Sequence, residues 1–161
     1  MRDAGKLTVK AQGDREIVII RAFNAPRQLV FDAFTKAELV RRWLFGPEGW
    51  SFAVCEIDLR VGGAYRYVWR KESTGEVMGM GGVFREIAPP GRLVSTERFD
   101  DPWYPGEGVG TIELVEQRGK TLMTQTVRYE SRAARDAVLQ SPMESGLAAG
   151  YDRLETLLTT L

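Results

Sequence analysis

The chain has 161 residues, with 22 basic and 22 acidic side chains, one cysteine and no histidine. That length predicts one domain with a core large enough to need no staples, and the balanced charge leaves no global field to hold a polyanion, so nucleic acid is not an expected partner. A lone Cys55 excludes an intramolecular disulfide and thiolate-clustered metal sites. The missing imidazole excludes serine and cysteine triads and histidine metal centres, so acid–base chemistry would fall to Asp, Glu, Tyr or Lys.

Residues 1–13 are polar, lack the apolar core of a signal peptide and read as a flexible leader. The rest, residues 14–161, reads as one domain with no linker or repeat. No apolar run approaches the length of a membrane span, so membrane insertion is not expected, and a reducing cytoplasmic compartment fits the cysteine count. Residues 15–23 (REIVIIRAF) are β-branched and apolar on both faces, which predicts a strand. Asn24-Ala25-Pro26 breaks it and opens a short helix with Leu29, Val30, Ala33 and Phe34 on its apolar side. Thr35 and Glu38 have the spacing of a capping box for a second helix over 36–44, which buries Leu39, Val40 and Trp43 before Gly46-Pro47 stops it.

From Trp50 the period changes to that of strands with glycine-bearing turns. Strands are predicted over 51–59, 64–70, 77–87, 92–99, 109–117 and 121–129. In the second of these Tyr65, Tyr67 and Trp69 share one face and Arg66 and Arg70 the other, the alternation of a half-buried antiparallel strand with its aromatics inward. In the third, Met78, Met80, Gly82 and Phe84 share a face. Residues 131–139 predict a helical turn or two. The last helix starts at Ser141-Pro142-Met143-Glu144, which carries a cap, a first-turn proline and a capping box, and runs to the terminus with Met143, Leu147, Tyr151, Leu154 and Leu158 in one stripe. Gly146 and Gly150 interrupt it, each at a cost of about 1 kcal/mol against Ala. They imply either close packing on the sheet or room for a ligand. The expected fold is α+β: a seven-stranded curved antiparallel sheet gripping a long C-terminal helix, with two short helices after the first strand.

The residues themselves then match a known family. Arg41-Arg42-Trp43-Leu44-Phe45-Gly46-Pro47 and Asp58-Leu59-Arg60-Val61-Gly62-Gly63-Ala64-Tyr65-Arg66 resemble the signatures of the SRPBCC superfamily, and more narrowly those of the domain named after the activator of the ninety-kilodalton heat-shock protein ATPase. Glu86-Ile87-Ala88-Pro89-Pro90, Arg92 to Glu97, Met143-Glu144, Gly146 and Tyr151-Asp152-Arg153-Leu154 match in the same order, so the likeness covers residues 15–158. The resemblance implies a START-like helix-grip fold with a deep cavity between sheet and C-terminal helix, which the superfamily uses for lipids, sterols, polyketides and other apolar molecules. A chaperone partner and a stress-related interaction role are further implications; the chaperone activator has an additional N-terminal domain that this chain lacks, so that partnership is not carried over.

The candidate ligand-binding residues are Trp43, Trp50, Tyr65, Tyr67, Trp69, Met80, Phe84, Phe99, Met143, Leu147 and Tyr151, an aromatic and methionine lining suited to a small apolar ligand. Gln125 joins them because counting by twos places its amide with Met123, Val127 and Tyr129 on an inward face. Glu97 has no clear inward parity. A salt bridge is the favoured reading for it, with ligand orientation or acid catalysis as the alternative. Trp103 and Tyr104, in the loop 100–106, read as lid aromatics whose loss would leave stability nearly intact. Glu56, Asp58 and Arg60 read as a hairpin brace. No catalytic residue, metal or cofactor is expected. The primary expectation is a carrier of a small hydrophobic or aromatic molecule, monomeric or a homodimer. The alternative is a polyketide-cyclase or isomerase-type enzyme using a pocket Glu or Tyr.

Overall fold

The computed structural model describes residues 6–44, 48–102 and 104–161. Within them one eight-stranded antiparallel sheet runs in the order β1-β2-β8-β7-β6-β5-β4-β3. Its strands are β1 (Thr8–Gln12), β2 (Glu16–Phe23), β3 (Trp50–Ile57), β4 (Ala64–Lys71), β5 (Val77–Ala88), β6 (Arg92–Phe99), β7 (Gly108–Gln117) and β8 (Lys120–Arg128). Helices α1 (Arg27–Thr35) and α2 (Ala37–Val40) follow β2, and α3 (Arg132–Leu139) and α4 (Met143–Leu158) close the chain. This is the expected α+β helix-grip arrangement with one strand more than the seven predicted. The eighth, β1, lies in the stretch read as a leader and pairs with β2 from Thr8↔Ile20 to Gln12↔Glu16. Gly13, at φ 55°, makes the turn between them. Arg135 of α3 fixes this hairpin from below: it is buried and donates to the carbonyls of Gly13 at 3.1 Å and Glu16 at 3.0 Å.

Two expected capping boxes do not form. Thr35 is buried at the end of α1 and donates its hydroxyl to Phe31 O at 2.8 Å, so it caps nothing; Lys36 precedes α2 without a side-chain cap. Ser141 donates to Val138 O at 2.6 Å, at the end of α3, and Pro142 occupies the cap position of α4. The serine that does cap is Ser131, which accepts from Ala134 N–H at 3.0 Å.

The sheet curls where β5 and β6 lose regular pairing, between Phe84 and Glu86, and again at a register shift in β3 between Phe52 and Val54. Just before the first, β5 runs close against β6 at Gly82, where a Cβ would collide with the carbonyl of Thr96. That carbonyl accepts the Tyr65 hydroxyl at 2.7 Å, and Val83 N–H donates to Thr96 Oγ1 at 2.9 Å, so side chains replace the missing ladder bonds.

On the concave side, Phe23 meets Tyr151 edge-on with ring centroids 5.8 Å apart, and Trp43 lies 5.0 Å from Phe34 and 5.9 Å from Tyr151. These aromatic contacts join β2, the first helices and α4 into one core. Arg21 of β2 is buried beneath α4, 5.1 Å from the Phe23 ring centroid, with its Nη1 3.1 Å from Asp152 on the helix. Glu155, one turn on, accepts from Asn24 N–H at 3.1 Å. Helix α4 is therefore held by its second half. Gly150, Tyr151, Leu154, Leu157 and Leu158 are buried, whereas Met143 and Leu147 are only half-buried. A Cβ on Gly146 would meet nothing within 4 Å, and one on Gly150 would find only the guanidinium of Arg153 at 4.0 Å. Neither glycine serves close packing, which removes that reading of the pair.

Candidate functional site

Alternation along β8 puts Met123, Gln125 and Val127, with Tyr129 just beyond, on the face beneath α4. Three of the four are buried; Gln125 keeps solvent contact although β8 sits between β2 and β7. Its cross-strand neighbours are Ile19 and Ile112. Its Oε1 accepts the Tyr151 hydroxyl at 2.8 Å, so the inward amide expected from the strand pattern is present and tied to the helix.

Glu97 departs from its favoured reading. Among the described residues no hydrogen bond or ion pair reaches its carboxylate; the arginine that does pair in β6 is Arg92, with Glu86 at 2.8 Å and Glu113 at 3.0 Å on the surface. Glu97 instead shares the inner face of β6 with Leu93, Ser95 and Phe99. Gly108 stands opposite it on β7, where a Cβ would lie 3.0 Å from Glu97 Cγ, and Gly110 is placed so that a Cβ would lie 3.9 Å from Glu97 Oε2. Gly108 makes room for this side chain, whereas a Cβ at Gly110 would make only an ordinary contact with it. Desolvation pushes the Glu97 carboxyl up to about 7, with no basic side chain offsetting it. Yet the residue retains solvent contact.

Four tyrosines lie near enough to feel its charge. Burial first, and the charge of Glu97 after it, push the phenols of Tyr65, Tyr104, Tyr129 and Tyr151 upward. The rings of Tyr65, Tyr104 and Tyr129 fall in two clusters. Tyr65 lies 5.1 Å from Tyr67 and 5.5 Å from Phe84, while Tyr104 packs edge-on against Tyr129 at 5.3 Å and against Phe99 at 6.4 Å. The hydroxyls of Tyr65 and Tyr151 are donated elsewhere, to Thr96 O and Gln125, and do not solvate the carboxylate.

The other expected site residues divide into lining and framework. Met80, Phe99, Met143 and Leu147 are half-buried against the core. Trp43 is 1% exposed and donates its indole N–H to Ala33 O at 2.8 Å, and Trp69 donates to Leu44 O at 2.7 Å, so both brace the helical end of the sheet. Trp50 starts β3 opposite Lys71, away from Glu97's strand. Tyr104 is 3% exposed, part of its cluster and not an exposed lid aromatic. Trp103 lies outside the described residues. The hairpin brace is present as Arg60 Nε to Asp58 Oδ2 at 2.8 Å. Gly108 is the residue that sequence reasoning misses; the alternating glycines of Gly108-Val109-Gly110 within a strand are the signal that marks it.

The family model described as Activator of Hsp90 ATPase homolog 1-like protein matches residues 24–159. The chain belongs to this family. Among solved structures, a Rhodobacter sphaeroides protein is 29% identical, with 97% of this chain and 100% of that chain covered and a TM-score of 0.90. A Chromobacterium violaceum protein is also 29% identical, covering 89% and 96%, with a TM-score of 0.76. An AHSA1-like protein of Aeromonas hydrophila, 19% identical over 88% and 93%, has a TM-score of 0.71 and is similar in fold. No match was found among curated proteins. Both Gln125 and Glu97 lie within the stretch that matches the Activator of Hsp90 ATPase homolog 1-like family, whereas β1 and β2 precede it. No described helix is long and apolar enough to cross a membrane.

Proposed function

We propose that this protein binds and carries a small hydrophobic or aromatic molecule held between the sheet and α4. One observation carries the reading: Glu97 and Gln125, on interior strands and facing the helix, keep solvent contact while Leu93, Met123 and Val127 beside them are buried. A helix that sealed the sheet would bury all five. The first half of α4, where Met143 and Leu147 are only half-buried, supports the same conclusion. Aromatic clusters with few polar groups suit a ligand with a flat apolar body, oriented by one carboxyl and one amide. In this reading the protein works in the cytoplasm as a monomer or modest homodimer, and no reaction is required.

A specific observation favours the enzyme as the second reading. With its carboxyl pushed up to about 7, Glu97 populates both protonation states near neutrality, the condition for a general acid or base. Native mass spectrometry of protein purified from its own cells tests the carrier, with titration by an environment-sensitive apolar dye alongside. A retained small molecule and saturable dye binding support it. No retained mass and no saturable binding would overturn it. Turnover of the retained molecule by the wild type but not by Glu97→Gln would move the assignment to the enzyme.

A further inference from the structure

The polar groups around Glu97 define which ligands the proposed site accepts. A carboxylate enclosed by protein ordinarily has a cation or several donors beside it, because unpaired burial is expensive. Here the described surroundings contribute neither. Tyr65 of β4 bonds the carbonyl of the adjacent Thr96, Tyr104 of the loop after β6 packs on Phe99 of the same strand face and on Tyr129 at the end of β8, and Tyr151 of α4 bonds Gln125. Ser95 shares the strand face of Glu97, and glycines 108 and 110 present no side chain at all. Among the described residues the buried arginines are held elsewhere, Arg21 by Asp152 and Glu155 and Arg135 by the carbonyls of Gly13 and Glu16, and the half-buried Arg153 of α4 donates to Trp43 O at 3.1 Å.

An acidic group amid aromatic rings without a counter-ion is the complement of an organic cation. The carboxylate supplies the charge partner, and ring faces attract the positive head through their quadrupole. Resting on the carrier reading above, we infer that the ligand is an amphipathic amine: a protonated nitrogen seated at Glu97, with an apolar or aromatic body along Phe99, Met80 and Leu147. Anionic amphiphiles such as fatty acids are rejected by the same carboxylate.

Three probes with one body and different heads test this by calorimetry at pH 8: 2-naphthylmethylamine, 2-naphthylmethanol and 2-naphthoate. The amine should bind at least about tenfold tighter than the alcohol, and the carboxylate at least about tenfold weaker. Glu97→Gln, nearly isosteric, should bring amine and alcohol together while alcohol affinity is kept. In the wild type the amine's advantage should shrink from pH 8 to pH 5.5, as Glu97 takes up a proton, and the alcohol should be indifferent. A carboxylate that binds as well as the amine, or an amine preference that survives in Glu97→Gln, overturns the inference. If the alcohol binds and the amine is no better, the carrier stands and the cation preference falls. If none of the three binds, both fall.

Discussion

Tyr151 of α4 donates its hydroxyl to Gln125 Oε1 of β8 across 2.8 Å, and the two partners differ in what they have besides each other. Tyr151 is 3% exposed, whereas Gln125 reaches solvent. Removing the acceptor strands a buried donor; removing the donor leaves an amide that water can satisfy. Gln125→Leu should therefore cost roughly 1–3 kcal/mol, and Tyr151→Phe less than about 1 kcal/mol. Denaturant melts of the two variants check the asymmetry, and equal losses would show that Gln125 is sealed from water.

Glu97 sets a pH dependence with a definite sign. Its carboxyl rises from an ordinary 4.5 to about 7 in the folded protein. Between those values the native state binds more protons than the unfolded one, so stability falls as pH rises through this window and levels off above it. The loss should be about 2 kcal/mol once the remaining solvent contact is allowed for. Glu97→Gln should abolish it: more stable than wild type at pH 8, and close to it at pH 4.5. Chemical denaturation across that range measures the difference, and a variant that tracks the wild type at every pH would contradict the burial of this carboxyl.

Gly146→Ala should stabilise the protein by up to about 1 kcal/mol, since Ala is the better helix former and the added methyl would meet nothing within 4 Å. A thermal melt suffices. Destabilisation would mean that α4 lies closer to the sheet than its first half indicates.

Tyr104→Ala should lose about 3 kcal/mol, as expected for a buried aromatic packed edge-on against Tyr129 and Phe99. An exposed lid residue would cost almost nothing. The melting temperature decides between the buried cluster and the lid.

Most of the sheet is legible from local pattern. The run of Tyr65, Tyr67 and Trp69 opposed to Arg66 and Arg70 places β4 and its inner face correctly, because a period of two has only one way to bury three large rings. The Gln125 face is read the same way, from the apolar company of Met123 and Val127. Glu97 is not, because Val94 and Thr96 on the other face of β6 are as apolar as Leu93 and Ser95 on its own, so the strand has no period of its own to read. What fixes its direction is the non-local register that sets Glu97 against Gly108. The capping boxes fail for a related reason. The Thr35 hydroxyl, once buried, bonds a carbonyl of its own helix, and Ser141 is taken by the end of α3. Strand β1 is missed because TVKAQ has little apolar content and earns its pairing from the exposed edge of β2.

The uneven docking of α4 gives its two ends different lifetimes. Opening its first turns would release only the half-buried Met143 and Leu147, whereas opening its second half must break the Arg21–Asp152 pair and expose Leu154, Leu157 and Leu158. Backbone amides of residues 147–149 should therefore exchange with solvent deuterium through local fraying, and those of residues 154–158 only through near-global unfolding. On the carrier reading, these first turns are where a bulky ligand would pass without the fold being lost. Its release rate should follow the exchange rate of those first turns and slow in Gly146→Ala, which stiffens them.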